Sequence, residues 1–299
     1  MKHMTFFAAL ALGALVAGPG HALTVTHAQG ETEVADNPQT VLVFDLASLD
    51  TLDALGVTVQ GIPSGAMPSY LEQYQGSDVA RVGSLFEPDY EAVAAAQPDL
   101  IVVGGRSAAK YADLARIAPT IDLTVDRTNF IESAKQNVET LAEIFGKQSE
   151  AEAKLAQLDA SIAGLKDKAS EAGTVLVMLT TGGRMSAHGP GSRFGVIYDE
   201  YGLSPAVEGL DTGNHGQAIS NEFILETNPD WLFVVDRDAA IGREGEAAAQ
   251  MLDNELVRQT TAWQNDQVVY LDPVRWYLVG GGLTAMQLSV DQITDALSD

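Results

Sequence analysis

Residues 149–171 read SEAEAKLAQLDASIAGLKDKASE, and this pattern decides the fold. Leu155, Leu158, Ile162, Leu165 and Ala169 recur at intervals of three and four, so they form one helical stripe. Glu150, Glu152, Lys154, Lys166 and Lys168 fall on other faces. Residues 131–172 contain no proline, which predicts a helix to about Phe145 and a long helix over about 149–171. A single stripe with a strand-and-helix series on either side predicts a spine joining two lobes, not a coiled-coil arm.

Before the spine, apolar runs at 40–44, 57–60, 100–103 and 120–123 read as strands, and 47–55, 89–96 and 107–117 as helices. After it, 175–180, 231–235 and 268–271 read as strands, and 194–201, 221–226, 247–259 and 283–297 as helices. This alternation implies an α/β fold with mainly parallel pairing. The expected architecture is two Rossmann-like lobes joined by a long rigid helix, with a ligand cleft between them. Its expected divisions are an N-terminal lobe over 38–130, linking helices over 131–172 and a C-terminal lobe over 173–299. Residues 23–37 are polar and are expected to be a flexible segment.

The first 22 residues read as an export signal: Lys2 and His3, an apolar run from Phe6 to Ala17, then Gly20-His21-Ala22 as a small-x-small cleavage site. No later segment approaches 18 consecutive apolar residues. The expected mature protein is soluble and periplasmic. The chain has 41 acidic and 17 basic residues, a formal net charge of −24. Such a surface repels phosphate backbones and anionic lipid, which excludes nucleic acid and the membrane surface as partners. There is no cysteine, hence no disulfide, thiolate metal site or lipid-modified N-terminal cysteine.

Two segments echo each other. Glu91 lies seven residues before Pro98-Asp99 and the run LIVV, and Glu222 lies seven before Pro229-Asp230 and WLFVV. As helix N-terminal charges these glutamates would complement the dipole, and the same offset recurs once per expected lobe. Arg106 and Arg237 each follow one of those strands, and Arg193 follows Gly189-Pro190-Gly191-Ser192 before a helix. Ligands of open α/β sheets bind at the carboxyl ends of strands. The planar fork of arginine suits anions with spread charge. Each arginine alone could instead form a surface salt bridge. His215, in a glycine-containing loop, and Tyr277, next to Trp276 and before Gly280-Gly281-Gly282, are candidate ferric-iron ligands. A loop histidine and a packing tyrosine are the alternatives. Neither a P-loop nor a G-x-S-x-G elbow is present, so a binding protein is expected rather than an enzyme.

On these features the chain resembles the periplasmic substrate-binding proteins of iron-siderophore, haem and cobalamin uptake by ABC transporters. The matching stretches are VGSLFEPDYEAVAAAQPDLIVVGGR, HGPGSRFG, ISNEFILETNPDWLFVVDR and LDPVRWYLVGGG, and within the family they are most similar to ferric catecholate binders of the petrobactin type. The resemblance implies that Arg106, Arg193 and Arg237 contact catecholate oxygens. It implies that His215 and Tyr277 complete iron coordination, that Trp276 lies among the ligand contacts, and that Glu91 and Glu222 dock on permease arginines. It implies no intrinsic cofactor, a ferric siderophore as ligand, an ABC permease dimer as partner, and a monomer free in the periplasm. Haem, cobalamin, or a hydroxamate or citrate ferric complex are the other ligands to weigh. A periplasmic enzyme or a sensor-associated binder is the other class.

Overall fold

The computed structural model describes residues 22–243 and 247–298. Of the expected export signal over residues 1–22, residues 1–21 lie outside the described residues and Ala22 begins β1. The N-terminal half contains β1 (Ala22–His27), β2 (Gly30–Ala35), β3 (Val41–Val43), α1 (Leu46–Ala54), β4 (Gly61–Ser64), β5 (Ala80–Ser84), α2 (Tyr90–Ala96), β6 (Leu100–Val103), α3 (Tyr111–Leu114) and β7 (Thr120–Asp122). Two helices follow, α4 (Phe130–Ile144) and α5 (Gln148–Ala169). The rest contains β8 (Thr174–Thr181), β9 (Arg184–His188), α6 (Val196–Asp199), β10 (Ser204–Pro205), β11 (Gln217–Ile219), α7 (Asn221–Thr227), β12 (Trp231–Asp236), α8 (Arg237–Ala240), α9 (Ala248–Leu252), α10 (Thr261–Gln264), β13 (Val268–Tyr270) and α11 (Leu283–Ala296).

The first lobe is a parallel sheet in the order β5-β4-β3-β6-β7. The second has the order β11-β9-β8-β12-β13, with β12 parallel to both β8 and β13 and with β9 and β11 antiparallel additions. Successive strand residues face opposite sides. Val41, Val43, Leu100 and Val102, with Val175, Val177 and Leu179 of the other sheet, turn into one continuous core. Leu155, Leu158, Ile162, Leu165 and Ala169 of α5, the stripe read from sequence, are buried in that core. The opposite faces, Leu42, Phe44, Ile101 and Val103 in one lobe and Leu176, Met178, Leu232 and Val234 in the other, close two separate outer cores. Both lobes therefore share a core through the spine, and large lobe motions would have to open it.

The sequence echo has a structural cause. Asp89 and Ser220 cap α2 and α7, which end in left-handed Gln97 and Asn228. The Pro-Asp pair follows in each case. Asp99 Oδ2 accepts from the backbone N–H groups of Gln39 and Thr40, at 3.0 and 2.8 Å, beside the start of β3. Asp230 Oδ2 accepts from the N–H and hydroxyl of Thr174, at 2.7 and 2.8 Å, at the start of β8. Each aspartate ties the strand that follows it to that strand's parallel neighbour, β6 to β3 and β12 to β8.

Four expectations are corrected. Residues 22–35 are not loose: β1 and β2 form a hairpin that covers the β7 edge, with Ala28 N–H donating to Asp122 O at 3.0 Å and Thr32 Oγ1 donating to Thr120 O at 3.0 Å. Covering an edge satisfies its open backbone groups. Residues 57–60 are a connection, and the strand starts at Gly61, where a Cβ would come within 2.4 Å of Leu42 Cδ2. The turn Gly182-Gly183, with φ of 54° and 73°, folds β9 back on β8, a strand absent from the sequence reading. Finally, α11 does not belong to the second lobe's layers alone. It packs on α5 and on α1 of the first lobe, where Asp50 receives the N–H groups of Thr284 and Ala285. Among the described residues, no helix is long and apolar enough to cross a membrane.

Candidate functional site

The three arginines picked from the sequence meet at one residue. Arg106 follows β6 on a turn in which Gly105 has a φ of 50° and its N–H donates to Thr124 Oγ1 at 2.9 Å. The buried Ser107 hydroxyl pins the same turn to Phe44 O at 3.0 Å. Arg193 lies on the loop after β9, which Asp199 holds by accepting the Gly191 N–H at 2.8 Å. Arg237 begins α8 directly after β12. Tyr277 sits in a π-helical turn, Arg275–Val279, a geometry often found at functional sites.

Arg106 Nη2 donates to the Tyr277 carbonyl oxygen at 2.6 Å, and Arg193 Nη2 donates to the same oxygen at 3.3 Å. Arg237 Nε donates to the Tyr277 hydroxyl at 2.8 Å. The guanidinium carbons lie 5.2, 4.3 and 5.6 Å from the centre of the Tyr277 ring for Arg106, Arg193 and Arg237. Arg193 also packs on the Phe194 ring at 5.0 Å. One arginine comes from the first lobe and two from the second, so this cluster bridges the cleft. Burial raises the Tyr277 phenol pKa, but the Arg237 hydrogen bond and the charges of Arg193 and Arg237 outweigh it and leave the phenol below its ordinary value. Burial comes first in lowering Arg193, and the neighbouring charges of Arg106 and Arg127 add to it.

The glycine triplet lets this segment approach the first lobe. A Cβ at Gly281 would come within 2.8 Å of Val125 Cγ2, and one at Gly282 within 2.6 Å of Asp50 Cβ. Trp276 is buried, with its indole N–H donating to Gln292 Oε1 at 3.1 Å. With Phe130, Arg193, Phe194, Tyr201 and Ser289 it lines a cavity of about 30 Å³, space on the scale of water and not of a chelate. Trp276 thus lies beneath the cluster and supports it. Arg275 turns away to Gln292 Oε1 at 2.6 Å.

His215 is exposed on its loop and joins none of the hydrogen bonds around Tyr277 found among the described residues. His188 stands behind that loop: a Cβ on Gly216 would come within 2.7 Å of its ring. His188 is fully buried, and desolvation, then the charges of Arg193 and His215, hold its pKa down to about 4. It is therefore neutral near pH 7, packed edge-on against Phe194 at 5.0 Å. Arg127, which the sequence reading passed over, reaches from the loop after β7 to Asn214 Oδ1, next to His215. Its signal was available, because it follows the carboxyl end of β7 as Arg106 follows that of β6. Glu91 and Glu222 are exposed in the first turns of α2 and α7. A hydrogen bond from the Ser220 hydroxyl, with the Glu222 N–H second, holds Glu222 below the usual carboxylate range.

The chain is 42% identical over 280 residues to the petrobactin-binding protein YclQ of Bacillus subtilis, covering 92% of this chain and 88% of that one. It is 33% identical over 277 residues to the ferric-anguibactin-binding protein FatB of Vibrio anguillarum, covering 91% and 86%. The crystal structure of YclQ superposes with a TM-score of 0.90 over 93% of this chain and 99% of that one, at 41% identity. The periplasmic catecholate-siderophore binding protein VctP of Vibrio cholerae superposes with a TM-score of 0.86 over 93% and 99%, at 32% identity. The family model described as periplasmic binding protein matches residues 41–274. With two lobes on a helical spine and a cluster of cations between them, this chain belongs to the periplasmic binding protein family.

Proposed function

We propose that this chain captures a ferric siderophore of anionic catecholate type in the periplasm and hands it to an ABC permease, and that it catalyses no reaction. The observation that carries this reading is the convergence of Arg106, Arg193 and Arg237, from both lobes, on Tyr277. Two catecholates bring four phenolate oxygens to a tripositive ion, leaving one net negative charge spread over oxygens. Guanidinium groups bind such oxygens by charge-assisted hydrogen bonds and do not compete for the iron. Where the siderophore leaves two iron positions open, the Tyr277 oxygen and the His215 imidazole fill them. A phenol lowered by Arg237 and Arg193 gives up its proton to ferric iron more readily than an ordinary tyrosine. The iron complex is cargo, and the reading needs no resident cofactor.

Tryptophan emission provides the test, because Trp276 lies directly beneath the cluster. A ferric bis-catecholate is expected to quench it at submicromolar concentration, and a neutral ferric hydroxamate to bind more weakly. Tyr277→Phe is expected to shift the charge-transfer band of the bound bis-catecholate. Absence of any response to either complex would sink the reading, and an unchanged band would remove Tyr277 from the iron.

The same reading makes Glu91 and Glu222 the docking points, since equivalent exposed turns on the two lobes suit a permease of two like halves. The chain then works as an exported monomer. With no cysteine in its sequence, it offers no thiol for a lipid anchor. Glu91→Ala with Glu222→Ala is expected to reduce iron uptake several-fold at unchanged siderophore affinity. Normal uptake would refute the docking role.

A further inference from the structure

We propose that Arg127 is a fourth cationic contact of the cleft, and that it takes a carboxylate carried by the siderophore outside its iron-chelating catechols. The inference rests on the ferric catecholate reading above and narrows its ligand. Arg127 lies on the loop after β7, beside the Arg106 loop after β6, and these two strands are neighbours in the sheet. Its exposed guanidinium crosses the mouth of the cleft to the side-chain oxygen of Asn214, on the loop that carries His215. It stands close enough to Arg193 for its charge to act there. Among the described residues no carboxylate lies within ion-pair distance of Arg127, whereas Arg116 and Arg258 are paired with Asp113 and Asp253 at 3.1 and 2.6 Å.

Charge counting extends the argument. Arg106, Arg193 and Arg237 already outnumber the single net negative charge of a ferric bis-catecholate. Those three meet at Tyr277, so a carboxylate outside the chelate can pair with Arg127 without drawing a cation away from the catecholate oxygens. Asn214 offers only a neutral amide oxygen, and a carboxylate can replace it with a bidentate, charge-assisted pair. Because Arg127 is peripheral to the Tyr277 cluster, that carboxylate lies away from the iron.

Two ferric complexes test this, one of a bis-catecholamide built on lysine and one of the same ligand built on cadaverine. They differ by one carboxylate remote from the catechols. The wild-type protein is expected to prefer the lysine-derived complex by about tenfold, the effect of one charged hydrogen bond of roughly 1.4 kcal/mol. In Arg127→Gln the ratio of the two affinities should fall to about one, and Arg127→Lys should restore part of it. Arg116→Gln, which removes an exposed charge elsewhere on the same lobe, should keep the wild-type ratio. A wild-type ratio near one, or an unchanged ratio in Arg127→Gln, overturns the proposal while the catecholate reading stands. A ratio that falls equally in Arg116→Gln assigns the effect to overall charge and also overturns it. Failure of wild-type protein to bind either complex overturns the catecholate reading itself.

Discussion

Arg193→Gln is expected to weaken binding of a ferric bis-catecholate by about a hundredfold, roughly 3 kcal/mol. The size follows from the place of this side chain. It lies between the Tyr277 ring at 4.3 Å and the Phe194 ring at 5.0 Å, so its guanidinium is aimed and cannot swing to another partner at little cost. Burial already lowers its pKa, which means that the folded protein holds this charge against the desolvation cost. An anionic ligand removes that disadvantage, and a neutral glutamine cannot gain from it. The same reasoning predicts a folded and no less stable variant, because the substitution removes a poorly solvated charge. Arg193→Lys should recover only part of the affinity, since an ammonium lacks the planar fork and the stacking surface. Fluorescence titration gives the affinity and thermal melting the stability. A loss of less than about threefold in the glutamine variant would show that Arg193 packs the site without contacting the ligand.

Much of this arrangement was legible in the residues, and the parts that were not share physical causes. The α5 stripe was readable because one buried face at helical spacing leaves a repeating signal. The Pro-Asp echo was readable because the same local problem, tying a strand to its neighbour, is solved twice with the same residue. Arg106, Arg193 and Arg237 were found from their places after strands or a glycine loop. The hairpin over 22–35 was missed because it lies on an edge, so few of its side chains, Val25 and Val34, are fully buried and the alternation is diluted by exposed positions. Gly182-Gly183 was a legible hairpin signal, since a two-residue turn with both φ positive favours a glycine pair. The segment after it, Arg184-Met185-Ser186-Ala187-His188, is too polar to announce a strand. The burial of Trp276 was not legible for a different reason. In a single π-helical turn no sequence period says which residues turn inward, here Arg275 and Trp276 toward Gln292, and which meets the arginines, here Tyr277. Nor does the apolar face of α11 say which lobe it meets; Asp50, 234 residues from Thr284 in sequence, decides that.

That remote contact carries the second large effect, which concerns stability. Asp50 of α1 is fully buried and accepts from Thr284 N–H at 2.7 Å, Ala285 N–H at 3.1 Å and the Tyr70 hydroxyl at 2.7 Å. It thereby caps the helix that follows Tyr277 and fastens the end of the chain to the first lobe. Asp50→Ala would leave all three donors without this acceptor in the interior, at a cost of about 3 kcal/mol. A melting temperature lower by about 5–10 °C is expected. Asp50→Asn removes the titrating charge and keeps part of the hydrogen bonding, because its amide oxygen can stand in for one of the two accepting carboxylate oxygens. Burial pushes the Asp50 carboxyl up to about 7 against the pull of its three donors, whereas in the unfolded chain it titrates near its ordinary value of about 3.9. Between these values the folded protein keeps a proton that the unfolded chain has lost. The contribution of Asp50 to stability is therefore fully present below about pH 4 and is lost as the pH rises through about 7, at no more than about 1.4 kcal/mol per pH unit. Urea unfolding at about pH 5 and about pH 8 is expected to show the wild-type protein losing more stability over that interval than Asp50→Asn. Equal losses in the two proteins would mean that Asp50 is ionised in the folded state throughout, with the helix end and Tyr70 outweighing its burial.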